Sequence, residues 1–438
     1  MRGREGRLGA LLHRAQAQQR LPGVAAALFR HGELAWSDAV GLADVDAATV
    51  ATRDTQYRVG SITKTFAAAA VLQLRDEGRL DLDDPVAQYV EELPHRAPTL
   101  RSLLSHTSGL QREQPGDMWE TMVMPTREEL LAGLGASERV LSGSHWHYSN
   151  LAFSLLGEVV ERTAGVPYRE HVAARLLRPL GLERTTWRPE PPVAVPYLVD
   201  PYADGVSVEP TLAEGSLDAA GELWSTAPDV ARWGAFLADP DPAILSPESA
   251  EEMRTVHAMA EPERWLAGWG LGLSLERRGD RVWAGHGGAM PGFLAAFAFR
   301  PAERVAAAVL TNSGARAEPD VLVLDLGETE LELEPEAPEE WRPAPPPDDV
   351  APLLGRWWSE GEGFTFSWRQ GRLEARVDGL ADWRPPAVFE RVDEDVWRTV
   401  SGRERGELLR IRRDENGDVA RLNWAGYPFT REPRAFGG

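Results

Sequence analysis

The chain has no cysteine among its 438 residues, which removes disulfides, a thiol nucleophile and thiolate metal sites together. Lysine is almost absent too: of the 47 lysines and arginines, Lys64 is the single lysine and every other is arginine. Arginine stays protonated in any protein environment, whereas a desolvated lysine can lose its proton and act as a base. One lysine in a chain that otherwise uses arginine therefore marks a position needing an amine that titrates. Positive charge is scarce overall, with a net charge of -21 and a pI near 5.0, which argues against a nucleic-acid partner because phosphate backbones are met by clustered cations. No apolar run approaches the roughly 20 residues of a membrane-spanning helix, so no membrane partner is expected. The first twenty residues lack the continuous apolar stretch of a secretory signal, since Leu8, Leu11 and Leu12 alternate with His13, Arg14 and three glutamines, and a cytoplasmic location is expected. Apolar residues are plentiful, and 43% hydrophobic content over this length suffices for a large core divided among two or three domains.

Lys64 belongs to the stretch Gly60-Ser61-Ile62-Thr63-Lys64-Thr65-Phe66. Phe66, Ala69, Ala70 and Gln73 at helical spacing, with Gly78 as a stop, predict a helix from Ile62 to Glu77. Residues three apart share a helix face, so the Ser61 hydroxyl falls beside the Lys64 amine. A nucleophile within hydrogen-bond reach of its base is the signature of covalent catalysis, and the helix N-terminus adds a positive dipole end where an oxyanion would develop. A bare S-x-x-K is more often a serine helix cap followed by a solvated lysine. The uniqueness of Lys64 favours the first reading.

Along the chain, Gly23 to Arg30 and Leu34 to Ala43 predict two strands around a turn at His31-Gly32-Glu33. From Leu80 to about Val199 the pattern is mainly helical, with Pro189 to Pro210 a proline-rich loop, and a further helix is expected over Pro228 to Leu237. Strand character returns at Gly270 to Glu276, Val282 to Ala284, Phe293 to Arg300 and Val305 to Thr311. Strands, a long helical insertion and strands again imply one antiparallel sheet closed by the end segments, an α+β domain with a helical subdomain across a cleft. This domain is expected over residues 1–331. Residues 332–349 are acidic and proline-rich and read as a stiff linker. In residues 350–438, seven short alternating runs from Leu354 to Trp424, separated by Gly, Asp and Asn turns, predict a small antiparallel β-barrel or a sandwich, with the barrel preferred.

Two further segments carry chemistry. In His147-Tyr148-Ser149-Asn150, a tyrosine hydroxyl beside an amine can relay a proton, and Asn150 can fix the lysine or a substrate carbonyl. Packing for Tyr148 and helix capping for Asn150 are the structural alternatives. In Gly285-His286-Gly287-Gly288-Ala289, the glycines let a substrate backbone approach a strand, His286 faces the cleft, and a following backbone N–H can join that of Ser61 as an oxyanion hole. A glycine-rich turn with a surface histidine is the plain alternative. His145 and His147 lack a third ligand in the sequence, so no metal and no cofactor are expected.

These three segments, in this order, resemble the class C-like branch of the serine β-lactamase and penicillin-binding-protein superfamily, which includes D-aminopeptidases, D-Ala-D-Ala carboxypeptidases and esterases. That branch carries S-x-x-K, then Y-x-N, then K-T-G or H-x-G, here Ser61 to Lys64, Tyr148 to Asn150 and His286 to Gly288. The resemblance implies that Ser61 is acylated, that Lys64 and Tyr148 share proton transfer, and that the N–H groups of Ser61 and Ala289 hold the oxyanion. Asn150, His286, Gly287 and Gly288 are the accompanying substrate-side residues. Leu103 to Leu110 is also similar to that branch; a structural role is expected there, and His106 is left outside the site. His286 stands where the antibiotic-hydrolysing members have lysine, which weakens recognition of a β-lactam carboxylate. The region after the linker resembles a lipocalin-like domain appended to some relatives, and its Arg431 and Arg434 are candidates to reach a substrate carboxylate. The expected activity is serine hydrolysis of a small ester or a D-amino-acid amide or peptide. A peptide-cyclising acyltransferase of the same chemistry and a catalytically silent scaffold are the alternatives, and the oligomeric state stays open.

Overall fold

The computed structural model describes residues 3–141, 143, 145–212, 215–314, 317–335, 341–381 and 383–434. It divides into two units, residues 1–336 and 337–438.

The first unit is built on a nine-stranded antiparallel sheet. Its strands are β1 (Gly23–Arg30), β2 (Glu33–Asp44), β3 (Thr49–Val50), β4 (Ala258–Glu261), β5 (Ala267–Trp269), β6 (Ser274–Arg278), β7 (Arg281–Met290), β8 (Phe293–Arg300) and β9 (Val305–Thr311), in the order β3-β2-β1-β9-β8-β7-β6-β5-β4. The N-terminal strand β1 pairs antiparallel with β9, so the two ends of the unit close one sheet as the sequence pattern requires. β1 is apolar at nearly every position because both its faces are covered. Ala25, Ala27 and Phe29 enter one core while Val24, Ala26 and Leu28 enter the other, and β8 and β9 divide in the same way.

On one face α1 (Arg4–Gln18) and α5 (Pro319–Leu333) pack Leu8, Leu12, Leu322 and Leu326 against the sheet, and the Arg4 guanidinium donates to buried Glu330 at 2.9 and 2.8 Å. On the other lie α2 (Thr63–Asp76) and α4 (Ala227–Ala238). Phe66 stacks on Trp233 at 4.1 Å, and the Trp233 indole donates to Thr65 Oγ1 at 2.8 Å. The inserted helices include α3 (Asn150–Ala164), which packs along α2. The stretch expected as a proline-rich loop contains a hairpin of Tyr197–Val199 with Val206–Val208, formed where apolar and β-branched residues interrupt the prolines.

The second unit is a nearly closed barrel of eight antiparallel strands in sequence order, from Gly355–Ser359 to Tyr427–Phe429. Trp358 bridges to Thr430, bringing the first strand to the residue that follows the last. Trp357, Phe364, Phe366, Phe389, Trp424 and Phe429 are among the side chains that fill its interior, as a barrel of this size allows. The eighth strand is three residues long and contains Pro428, too short to show alternation in sequence. Arg431 lies 3.8 Å over the Trp357 ring and donates to the Leu354 and Arg356 carbonyls at 2.9 and 3.1 Å, so its guanidinium fastens the barrel itself. Arg434 is exposed. Of the expected linker, Glu332 and Leu333 belong to α5, and residues 336–340 lie outside the described residues.

Candidate active site

Ser61 sits in a 3₁₀ turn, Gly60–Ile62, that runs directly into α2. Gly60 has φ of 52°, and a Cβ built on it would come within 2.7 Å of the Ala289 nitrogen; one built on Gly288 would meet the Val59 carbonyl oxygen at 1.9 Å. Only glycine at both places allows β7 to lie against the turn that carries Ser61. The other side of the turn is fixed by the chain before Trp224. The Val59 N–H donates to the Leu223 carbonyl at 2.9 Å, and the Leu223 N–H donates to Thr63 Oγ1 at 3.2 Å.

Lys64 occupies the first turn of α2 and is fully buried. Its Nζ stands 3.0 Å from Ser61 Oγ and donates to the Ala220 carbonyl at 2.6 Å, with the Tyr148 and Phe153 rings at 5.1 and 5.7 Å. Burial pushes its pKa well below the lysine range; the Glu113 carboxylate opposes that shift and the Arg112 guanidinium adds to it. This is the environment of a neutral amine beside a hydroxyl.

Tyr148 completes the group. Its phenol is held in the protonated form by burial, while a hydrogen bond with Ser61 and the charge of Arg112, whose guanidinium lies 4.9 Å from the ring centroid, favour the phenolate. The helix cap here is Ser149, whose Oγ accepts from the Ala152 N–H at 3.0 Å. Asn150 is the first helical residue, and its amide donates to Glu113 Oε1 at 2.7 Å; the acceptors of Lys64 are Ser61 and Ala220.

His286, Gly287, Gly288 and Ala289 lie on β7, which extends six residues beyond the run Val282 to Ala284 that sequence alternation marks. His286 is 4% exposed, and its Nδ1 donates to the Gly287 carbonyl at 2.5 Å. Burial and the nearby Lys64 drive its pKa down to about 3, so it is neutral at ordinary pH. The position therefore offers a substrate no cation. A Cβ on Gly287 would come within 2.8 Å of Asp320 Oδ1, and Asp320 and Glu276 are carboxyls whose pKa values burial raises.

Ser61, Tyr148, Asn150 and the His286 to Ala289 stretch line one cleft of about 800 Å³, together with Arg112, Glu113, Trp119, Trp146 and Trp269, whereas Lys64 does not reach it. Sequence reasoning missed Arg112 and Glu113, an adjacent opposite-charge pair of the kind surfaces carry everywhere, although they follow the Leu103 to Leu110 stretch. It could not find Ala220, which acts through its backbone carbonyl. Among the described residues no three His, Asp or Glu side chains gather as metal ligands. The arrangement brings together a hydroxyl, a buried amine whose pKa is lowered and a phenol, with the hydroxyl and phenol at a cleft that has aromatic walls.

Residues 8–327 match the Beta-lactamase family, and residues 346–431 match a domain of unknown function, DUF7586. Esterase EstB of Burkholderia gladioli is 35% identical over 212 residues, 44% of this chain and 54% of that protein. Penicillin-binding protein 4 of Amycolatopsis lactamdurans is 30% identical over 373 residues, covering 79% of this chain and 95% of its own. The solved structure of a D-stereospecific amidohydrolase from a Streptomyces species is similar with a TM-score of 0.64 and 29% identity, covering 73% of this chain and 98% of that one. The chain spans about half the length of several curated relatives it matches, EstB among them. No helix among the described residues is long and apolar enough to cross a membrane.

Proposed function

The chain belongs to the β-lactamase family, and from that premise we propose that it is a serine hydrolase that acts through an acyl-enzyme on Ser61, taking small esters or D-amino-acid amides and peptides. The observation that carries the proposal is the fully buried Lys64 amine 3.0 Å from Ser61 Oγ, depressed well below the lysine range by that burial. A neutral amine takes the hydroxyl proton as Oγ attacks the carbonyl carbon. The C–O or C–N bond then breaks, and the proton passes to the departing alcohol or amine by way of Lys64 and Tyr148. Water attacks the ester formed on Ser61 by the reverse route and releases the acid. The Ser61 and Ala289 N–H groups hold the oxyanion, an assignment supported by the close packing of the two segments, in which a Cβ at position 60 would come within 2.7 Å of the Ala289 nitrogen. A neutral His286 supports substrates without a carboxylate at that end of the cleft. The names of EstB and of the amidohydrolase support the ester and D-amide classes.

The test is turnover of a p-nitrophenyl ester, a D-amino-acid p-nitroanilide and a chromogenic cephalosporin, with the intact mass followed in parallel. Ester or D-anilide turnover with a transient adduct on Ser61 is expected, with the cephalosporin slowest. Ser61→Ala should abolish fluorophosphonate labelling, and Lys64→Arg, which cannot accept the proton, should lose about 1,000-fold or more in kcat, measured on protein shown to melt cooperatively. An adduct released only by an added amine would show acyl transfer instead. No adduct with any substrate would sink the hydrolase reading.

A further inference from the structure

His106 touches the Tyr148 segment from both flanks. Its carbonyl accepts from the His147 N–H at 2.7 Å, and its ring Nδ1 accepts from the Ser149 N–H at 3.1 Å. Between those two bonds the imidazole lies against the Tyr148 ring with centroids 4.3 Å apart. Phe153 and Trp269 close around the imidazole at 5.1 and 5.0 Å. His106 and Ser149 have no exposed surface, so the Ser149 N–H has no water to turn to if this acceptor is removed.

Two further features show that the site is held for this arrangement. His106 has φ of 56°, left-handed backbone that a residue with a side chain adopts at a cost and that surrounding structure must enforce. Accepting at Nδ1 places the ring proton on Nε2, and that buried nitrogen has no hydrogen-bond partner. The fold thus tolerates backbone strain and an unpaired donor in order to present one ring nitrogen to one backbone amide. Burial above all, with the charge of Arg112 adding to it, opposes a second proton on the ring.

We propose that His106 is the positioning residue for Tyr148: by holding the amides on either side, it fixes the phenol oxygen at Ser61. This rests on the proposed role of Tyr148 in proton transfer. His106 itself need not meet the substrate, since it lies behind Tyr148 and outside the residues that line the cleft.

Three variants separate the contacts. The Asn Oδ1 falls where the His Nδ1 does and asparagine accepts left-handed backbone, so His106→Asn keeps the acceptor and loses the ring. His106→Phe keeps the ring and loses the acceptor. His106→Gln carries its acceptor one bond too far and serves if the phenylalanine variant does not fold. Hydrogen exchange of the Ser149 amide and the kcat and KM for an ester are measured on the full chain. His106→Phe and His106→Gln should speed exchange about tenfold or more, while His106→Asn stays near wild type. With the first two, kcat should fall about 100-fold with KM within about twofold, since misplacing a reacting group by an ångström has that effect. His106→Asn should recover most of the loss. Unchanged exchange in the acceptor-less variants, or equal loss in all three, overturns the proposal. A wild type that shows no Ser61 adduct would defeat the hydrolase reading, and the exchange rates would still decide the positioning role.

Discussion

Glu113 and Arg112 are neighbours in sequence and act on Lys64 in opposite directions, the carboxylate favouring the ammonium and the guanidinium disfavouring it. On the proposed mechanism the reactive form of Lys64 is the neutral amine, so the rate should rise with pH as that amine loses its proton. The acid limb of the profile is then expected well below lysine's ordinary value of about 10.4. Glu113→Gln removes a charge that holds the proton on, so the pKa falls further and the limb moves to lower pH. Arg112→Gln removes a charge that drives the proton off, so the limb moves to higher pH. The measurement is kcat/KM for an ester against pH in the three proteins, and limbs that move together or not at all would assign the titration to another group. That Ser61, Lys64 and Tyr148 would lie together could be anticipated from sequence, because the proposed chemistry lies in side-chain type and spacing. The carbonyl of Ala220 and the charges of residues 112 and 113 could not, because any residue supplies a carbonyl and adjacent opposite charges are common on surfaces.

Strands β8 and β9 could be read from sequence to their observed ends, since runs such as Val305 to Thr311 are apolar at nearly every position and are buried on both faces. β7 was legible only at Val282 to Ala284, because Gly285, Gly287 and Gly288 erase the alternation over the part that meets Ser61. The sequence feature that hides the strand is the one that makes the site. Gly288→Ala places a Cβ against the Val59 carbonyl oxygen, which is backbone and cannot swing aside. The strand must move, and overpacking of this kind costs about 1–3 kcal/mol. The expected result is a lower Tm together with a loss of kcat larger than the change in KM, because Ala289 shifts away from Ser61. Gly279, at φ of 61° in the β6–β7 turn with nothing near its Cβ, provides the control. Gly279→Asn should melt close to wild type and retain full activity. Equal behaviour of the two variants would show that the approach of β7 is unimportant.

Every residue assigned a role in the chemistry lies in the first of the two units, and each unit has its own apolar core. The barrel interior is filled by aromatic side chains from its own strands, and Arg431 is engaged with its own carbonyls, so neither supplies a group to the chemistry described. The arginines of the last segment were attractive in sequence because exposed cations near a C-terminus are free to reach a ligand; the stacking of one on Trp357 becomes visible only once the barrel closes. A protein ending at Glu336 should therefore fold, melt cooperatively and label with a fluorophosphonate at Ser61 at a rate within about threefold of the full chain, a difference that corresponds to less than about 1 kcal/mol. The same truncated protein is then assayed on esters of increasing acyl length and on D-amino-acid anilides. If the ratio of kcat/KM values between substrates matches that of the full chain, specificity resides wholly in the cleft between Ser61 and β7. If labelling is kept and the ratio changes, the second unit selects substrates without touching the chemistry. Loss of labelling in a truncated protein that still melts cooperatively would show that the catalytic group is incomplete without the barrel, against the separation of cores seen here.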